Sequence, residues 1–203
     1  MNTAKLIRQQ VKRFPVGKPF TPYEFLHLGS RSTVDRQLFQ LNKAGRIMRV
    51  ARGVYVRPKE NKFVGKVPPG AFEIAQIKAG TAGVKIAPNG AEAALLFGLT
   101  TQMPVQPVYY TTGLPKQFRF GQQYITLKPV SSRKLALAGT KAGLAISALW
   151  YLGQKEVTPE IIGKVKAQLS LEEYEQLKHS QALMPGWLGS AINNFEYKEH
   201  HAS

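Results

Sequence analysis

Residues 21–58 read TPYEFLHLGSRSTVDRQLFQLNKAGRIMRVARGVYVRP. Thr21 stands before Pro22 and three residues before Glu24, so it can cap a helix whose first position is proline and whose third carries a carboxylate that reaches back to the cap. That short helix spans Pro22–Leu28 and stops at Gly29. Ser30 is the next cap, and the helix it opens covers 31–44 with Val34, Leu38 and Leu41 on one apolar stripe. At about 100° per residue the opposite face carries Ser32, Arg36 and Lys43, flanked by Phe39 and Gln40. Gly45 closes this helix. Residues 46–50 (RIMRV) and 53–57 (GVYVR) are then two β-branched runs around Ala51-Arg52-Gly53, the pattern of a hairpin.

Two helices joined by a tight glycine turn form a helix-turn-helix, and a basic hairpin placed directly after the second helix is a wing. Upstream, Ile7, Val11 and Phe14 recur at helical spacing and predict a first helix over 3–14, ended by Pro15-Val16-Gly17-Lys18-Pro19. The fold class expected is therefore α+β, an N-terminal winged helix-turn-helix over 1–58 followed by a mixed α/β C-terminal domain.

Charge says what the first domain meets. The 203-residue chain carries a net +16, and residues 1–66 alone hold fifteen Lys and Arg against Glu24, Asp35 and Glu60, a net +12. A polyanion partner fits that asymmetry. No aromatic-rich sheet face for stacking single-stranded bases is visible, which favours double-stranded DNA over RNA. Arg31, Ser32 and Thr33 lie at the N-terminal end of the recognition helix, the end that enters the major groove, and with Arg36 and Gln40 they are the candidate base readers. Lys43 shares their face. Lys12 and Arg13 on the first helix, Arg49 on the wing and Arg52 at its tip are candidate contacts to phosphate or the minor groove.

Residues 59–70, KENKFVGKVPPG, read as a linker, residues 71–197 as the second domain and 198–203 as a tail. Helices are expected over 71–78, 90–97, 135–152, 159–169, 170–179 and 186–195, and strands over 84–87, 107–112, 117–120 and 123–128. One of Tyr109 and Tyr110 should face inward and the other outward. No catalytic constellation is visible. Asp35 is the only Asp in the chain, whereas two-metal phosphoryl transfer uses clustered carboxylates. Glu172, Glu173 and Glu175 suit a helix terminus better than a metal. His27, His179, His200 and His201 have no metal-ligand spacing, and Gly139-Thr140-Lys141-Ala142-Gly143 lacks the spacing of a phosphate loop and reads as a helix start. No enzyme activity, cofactor or metal is expected. Cysteine is absent, MNTAKLIRQQ has no apolar signal core, and no apolar run nears the roughly 20 residues of a membrane span, so the expected location is cytoplasmic with no membrane partner.

With these residues in hand the chain resembles the AbiEi-type antitoxins of abortive-infection (type IV) toxin–antitoxin systems. The wing Gly45-Arg46-Ile47 with Arg52-Gly53-Val54-Tyr55, the run from Ala91 to Phe97 followed by Gly98-Leu99-Thr100-Thr101-Gln102-Met103-Pro104, the strand Pro107–Gly113, and the hairpin segments Phe118–Gly121 and Ile125–Lys128 carry the resemblance over roughly residues 1–130. It implies a repressor that binds inverted repeats in its own promoter, is a monomer in solution or a weak dimer on DNA, and counteracts a nucleotidyltransferase-like toxin. Two other readings are a stand-alone winged-helix regulator whose second domain senses a ligand or dimerises, and a nucleic-acid- or nucleotide-modifying enzyme.

Overall fold

A computed structural model describes residues 3–63 and 65–201. The fold is mixed α+β, and the chain divides into two compact units, one of residues 1–83 with 117–125, the other of residues 84–116 with 126 onward.

The first unit begins with helix α1 (Thr3–Arg13), strand β1 (Pro19–Phe20) and a 3₁₀ helix (Pro22–Leu28). Helix α2 (Arg31–Lys43) and strands β2 (Met48–Ala51) and β3 (Val54–Val56) follow. The strands form one antiparallel sheet in the order β1-β3-β2, with Phe20 opposite Tyr55 and Arg49 also opposite Tyr55 on the other side. This is the topology of a winged helix-turn-helix. The expected caps are present. The Thr21 side chain accepts from the backbone N–H of Tyr23, while Glu24 Oε2 accepts from the N–H of Thr21 at 2.9 Å. The core packs Ile7 and Val11 of α1 against Val34, Leu38 and Leu41 of α2, with Phe20 and Phe25 fully buried beneath them. Phe20 is the hub of an aromatic cluster, its ring 4.7 Å from Phe14, 5.6 Å from Phe25 and 6.2 Å from Tyr55. Arg57, just past β3, donates from Nη1 to the carbonyls of Lys12 at 2.8 Å and Phe14 at 2.7 Å, and so satisfies acceptors at the end of α1.

Three differences from the sequence reading stand out here. The segment up to Pro19 was expected only to end a helix, yet Pro19–Phe20 adds to the sheet, because burying Phe20 against Tyr55 aligns the backbones. Residues 59–70 were expected as a linker, yet strands β4 (Lys59–Asn61) and β5 (Gly65–Val67) pair antiparallel, turned through Gly65 at φ +71°. Helix α3 (Ala71–Thr81), expected with the second domain, groups with the first unit. Its Lys78 Nζ donates to the carbonyl of Arg52 at 3.1 Å.

The second unit contains strand β6 (Ile86–Pro88), helix α4 (Gly90–Leu96), strand β7 (Val108–Thr111) and the hairpin of β8 (Lys116–Phe120) and β9 (Gln123–Pro129), whose tip belongs to the first unit. Helices α5 (Lys141–Leu152), α6 (Pro159–Lys166), α7 (Leu171–His179) and α8 (Gly186–His201) complete it. The sheet order is β6-β7-β9-β8, with β6 antiparallel and β9 parallel to β7. Tyr109 is buried and Tyr110 half-buried, with the Lys134 ammonium 4.7 Å from the Tyr110 ring and 4.5 Å from that of Trp150. The helix expected over 135–152 starts only at Lys141. Gly139 turns at φ +90°, and Thr140 caps by accepting from the N–H of Gly143 at 3.0 Å. The expected tail over 198–203 is helical through His201, residues 202–203 lying outside the described residues. Its last turns are held by Lys166, which pairs with Glu196 at 2.9 Å and with Glu199, and by the His201 ring stacked 4.1 Å from Tyr197. Among the described residues no helix is long and apolar enough to cross a membrane.

Candidate nucleic-acid interface

Helix α2 is anchored on one side and open on the other. Val34, Leu38 and Leu41 are buried, which turns Ser32, Arg36, Phe39, Gln40 and Lys43 outward, all of them exposed. A helix with side chains is about 10–12 Å across and the major groove of B-DNA about 12 Å wide, so this ridge fits that groove. Arg36 and Lys43 have no hydrogen-bond or ion-pair partner among the described residues. Phe39 is 63% exposed between them. The sequence reading placed it beside the polar face without giving it a role, since periodicity alone makes an aromatic residue a core candidate.

The N-terminus of α2 is more engaged than expected. Ser30 Oγ lies 3.1 Å from Ser32 Oγ and 2.9 Å from Thr33 Oγ1, so these hydroxyls close the first turn of the helix. Arg31 Nε donates to Asp35 Oδ2 at 2.9 Å, and its guanidinium sits 5.1 Å from the Tyr23 ring. The hydrogen bond that Arg31 donates to Asp35, opposed by burial and reinforced by Tyr23, raises the Arg31 pKa above its ordinary value. Of the five candidate base readers, Arg36 and Gln40 point outward from α2, Ser32 is exposed but shares a hydroxyl contact with Ser30, and Arg31 and Thr33 hold local partners.

Cations flank this ridge on both sides. On one side Asn42 Oδ1 accepts from the backbone N–H of Arg49 at 2.9 Å, which locks the wing to α2 and leaves the Arg49 and Arg52 side chains exposed. The register shift between Arg49 and Ala51 bends the strand there. On the other side a groove of about 1090 Å³ runs between α1 and α2. Gln37, Gln40 and Leu41 contribute one wall, and Lys5, Arg8 and Lys12 of α1 with Arg46 and Arg57 contribute five cations. No acid lines it. Lys12 was anticipated in this role, whereas Arg13 is exposed but outside the groove wall. Lys5, Arg8 and Arg46 were missed. Their signal was legible, because residues 5, 8 and 12 share one face of a helix.

Among the described residues there is no group of three or more His, Asp or Glu that could hold a metal ion. Three acids of the second unit serve its helices. Glu173 accepts from the N–H of Ser170 at 2.8 Å, Glu175 pairs with Lys178 at 2.7 Å, and Glu196 accepts from Lys166 and from Tyr174 Oη, both at 2.9 Å.

The profile of a family described as "Family of unknown function (DUF6088)" matches residues 6–177. A search of curated proteins gives no match. Among solved structures, the crystal structure of RV2827C protein from Mycobacterium tuberculosis is similar at 10% identity over 95% of this chain and 80% of that chain, with a TM-score of 0.42.

Proposed function

Since the chain belongs to DUF6088, a family of unknown function, its role rests on its own surface, and we propose that it is a sequence-specific transcriptional repressor that binds double-stranded DNA in the cytoplasm. The observation that carries this reading is the outward face of α2, with two cations that have no partner among the described residues, standing between the wing and the groove on α1. Arg36, Gln40 and Ser32 read base edges from the major groove, with Arg31 and Thr33 at the leading end of the helix. Lys43, Lys12, Arg49 and Arg52 meet phosphates, as do Lys5, Arg8 and Arg46. Arg13 contributes charge from the edge. Inverted repeats would take one copy on each half-site, so the protein acts as a monomer in solution that pairs weakly on DNA.

The test is binding to labelled duplex from the region upstream of its own gene, against a scrambled duplex, across a salt series. Binding to the upstream duplex is expected to survive salt that erases binding to the scrambled one. Arg52→Ala is expected to weaken both duplexes alike and to make the dependence of log K on log salt shallower by about 0.9. Equal, salt-erased binding of the wild type to both duplexes would reject sequence-specific repression. A selective loss on one duplex would reject the phosphate role of Arg52.

The resemblance to AbiEi-type antitoxins extends the reading to a second activity, neutralising a nucleotidyltransferase-like toxin through the second unit. We read that unit as a non-enzymatic effector. Its Glu173, Glu175 and Glu196 are engaged in helix caps and ion pairs. Co-expression with a neighbouring nucleotidyltransferase is expected to relieve the growth arrest that enzyme causes. Arrest that persists rejects the antitoxin activity and leaves the repressor reading intact.

A further inference from the structure

The first unit includes a piece of chain that the sequence places far from the wing. Residues 117–125, the tip of the β8–β9 hairpin, belong to the same compact unit as the winged helix. Lys78 of α3 joins the two. Its Nζ donates to the carbonyl of Arg52 in the wing turn at 3.1 Å and lies 4.8 Å from the ring of Phe118 on β8. A single ammonium thus holds the turn of one hairpin against the strand of another.

Between them is an open cleft of about 780 Å³, floored by apolar side chains including Val50 and Phe120, with Arg49, Arg52, Lys66 and Arg119 in its lining. No acid is among its lining residues. The Arg119 guanidinium is held in place, because its Nε donates to the carbonyl of Gly121 at 3.0 Å, leaving its terminal nitrogens for an outside acceptor. Lys66 is less available electrostatically, since Glu60 stands opposite it in the β4–β5 register. Four cations around one cleft, one of them oriented by a hairpin turn, make a surface for phosphate groups.

We infer that this cleft is a phosphate-binding wall for the DNA backbone that flanks the recognition site, and that the β8–β9 tip acts as a second wing. The inference rests on the DNA reading above. The DNA backbone is its occupant because Arg49 and Arg52 belong both to the cleft and to the wing, so a duplex seated on α2 and the wing carries its flanking phosphates toward Arg119. The hairpin adds affinity and no sequence information, as backbone contacts do.

The experiment uses the full chain and two duplexes that share one recognition site, one with long flanks on both sides and one trimmed to the site. Arg119→Ala, Lys66→Ala and the double variant are titrated on both across a salt series, with thermal melts as a check on folding. On the flanked duplex the double variant is expected to bind on the order of tenfold more weakly at 0.1 M salt, with a slope shallower by about 1.8. Arg119→Ala should account for the larger share, and the trimmed duplex should be bound equally by all proteins. Unchanged affinity and slope on the flanked duplex, or the same loss on both duplexes, overturns the second wing while the repressor reading stands. Failure of the wild type to bind any duplex overturns both.

Discussion

Replacing Arg36 by alanine is expected to weaken binding to the preferred duplex by about 1–3 kcal/mol and to relax the base preference at one position, while binding to a scrambled duplex changes little. Arg36 occupies the middle of the outward face of α2, directly across the helix from buried Val34 and Leu38. Its guanidinium presents paired donors in a fixed plane, which matches the O6 and N7 acceptors of guanine. It has no ion pair among the described residues, so it enters the groove without first giving up such a partner. Arg31 is the contrasting case, because its Nε is held by Asp35 Oδ2 at 2.9 Å and its charge is partly offset by that carboxylate before it meets DNA. Arg36→Lys is expected to keep the charge and lose the discrimination, since an ammonium is a point charge without the two-pronged geometry. Selection from randomised duplexes, followed by competition titration with each variant, measures both quantities. An unaltered preference in Arg36→Ala removes this residue from base readout.

The other large effect falls on stability. Gly90 opens α4, and a Cβ placed there would lie 2.4 Å from Cβ of Tyr151 and 2.9 Å from the carbonyl oxygen of Ser147, both on α5. Neither is the far end of a flexible side chain, so one helix must shift. Buried Ala93 and Ala94 on α4 and Ala142, Ala145 and Ala148 on α5 show how this pair achieves its close approach, with small residues on both facing stripes. Gly90→Ala is expected to destabilise the protein by about 1–3 kcal/mol, because overpacking a tight contact exceeds what alanine gains in helix propensity. Gly80, near the end of α3, is the control. A Cβ there meets nothing within 4 Å, so Gly80→Ala should stabilise by several tenths to about 1 kcal/mol. Urea unfolding midpoints of the two variants should move in opposite directions. A Gly90→Ala midpoint at or above the wild type would mean that α4 and α5 slide apart freely.

Much of the fold was legible because local rules and tertiary contacts agree. Ser30, Asn89 and Ser170 each cap the helix that follows, as their chemistry suggests. The wing was legible because β-branched residues alternate around Gly53, which turns at φ +74°. Strand β1 was not, because two residues, one of them proline, carry no strand signal of their own and become a strand only when Phe20 meets Tyr55. The β4–β5 hairpin was hidden by composition, since its exposed lysines and Glu60 look like a solvated linker. Of the candidate interface, the outward stripe of α2 could be read from helical spacing alone. The roles of Arg31 and Thr33 could not, because spacing reports which face a residue occupies and says nothing of the acceptor beside it. Arg119 was beyond reach, since only the folded chain brings residue 119 near residue 52.

The bonds from Arg57 to the carbonyls of Lys12 and Phe14 join residues 45 and 43 positions apart. At eleven residues helix α1 is below the roughly 12–15 at which a helix persists alone in water. Its apolar face waits for α2, and its last carbonyls wait for residue 57. Helix α1 is thus held only once residue 57 has joined it, so the winged helix depends on contacts between residues far apart in the chain.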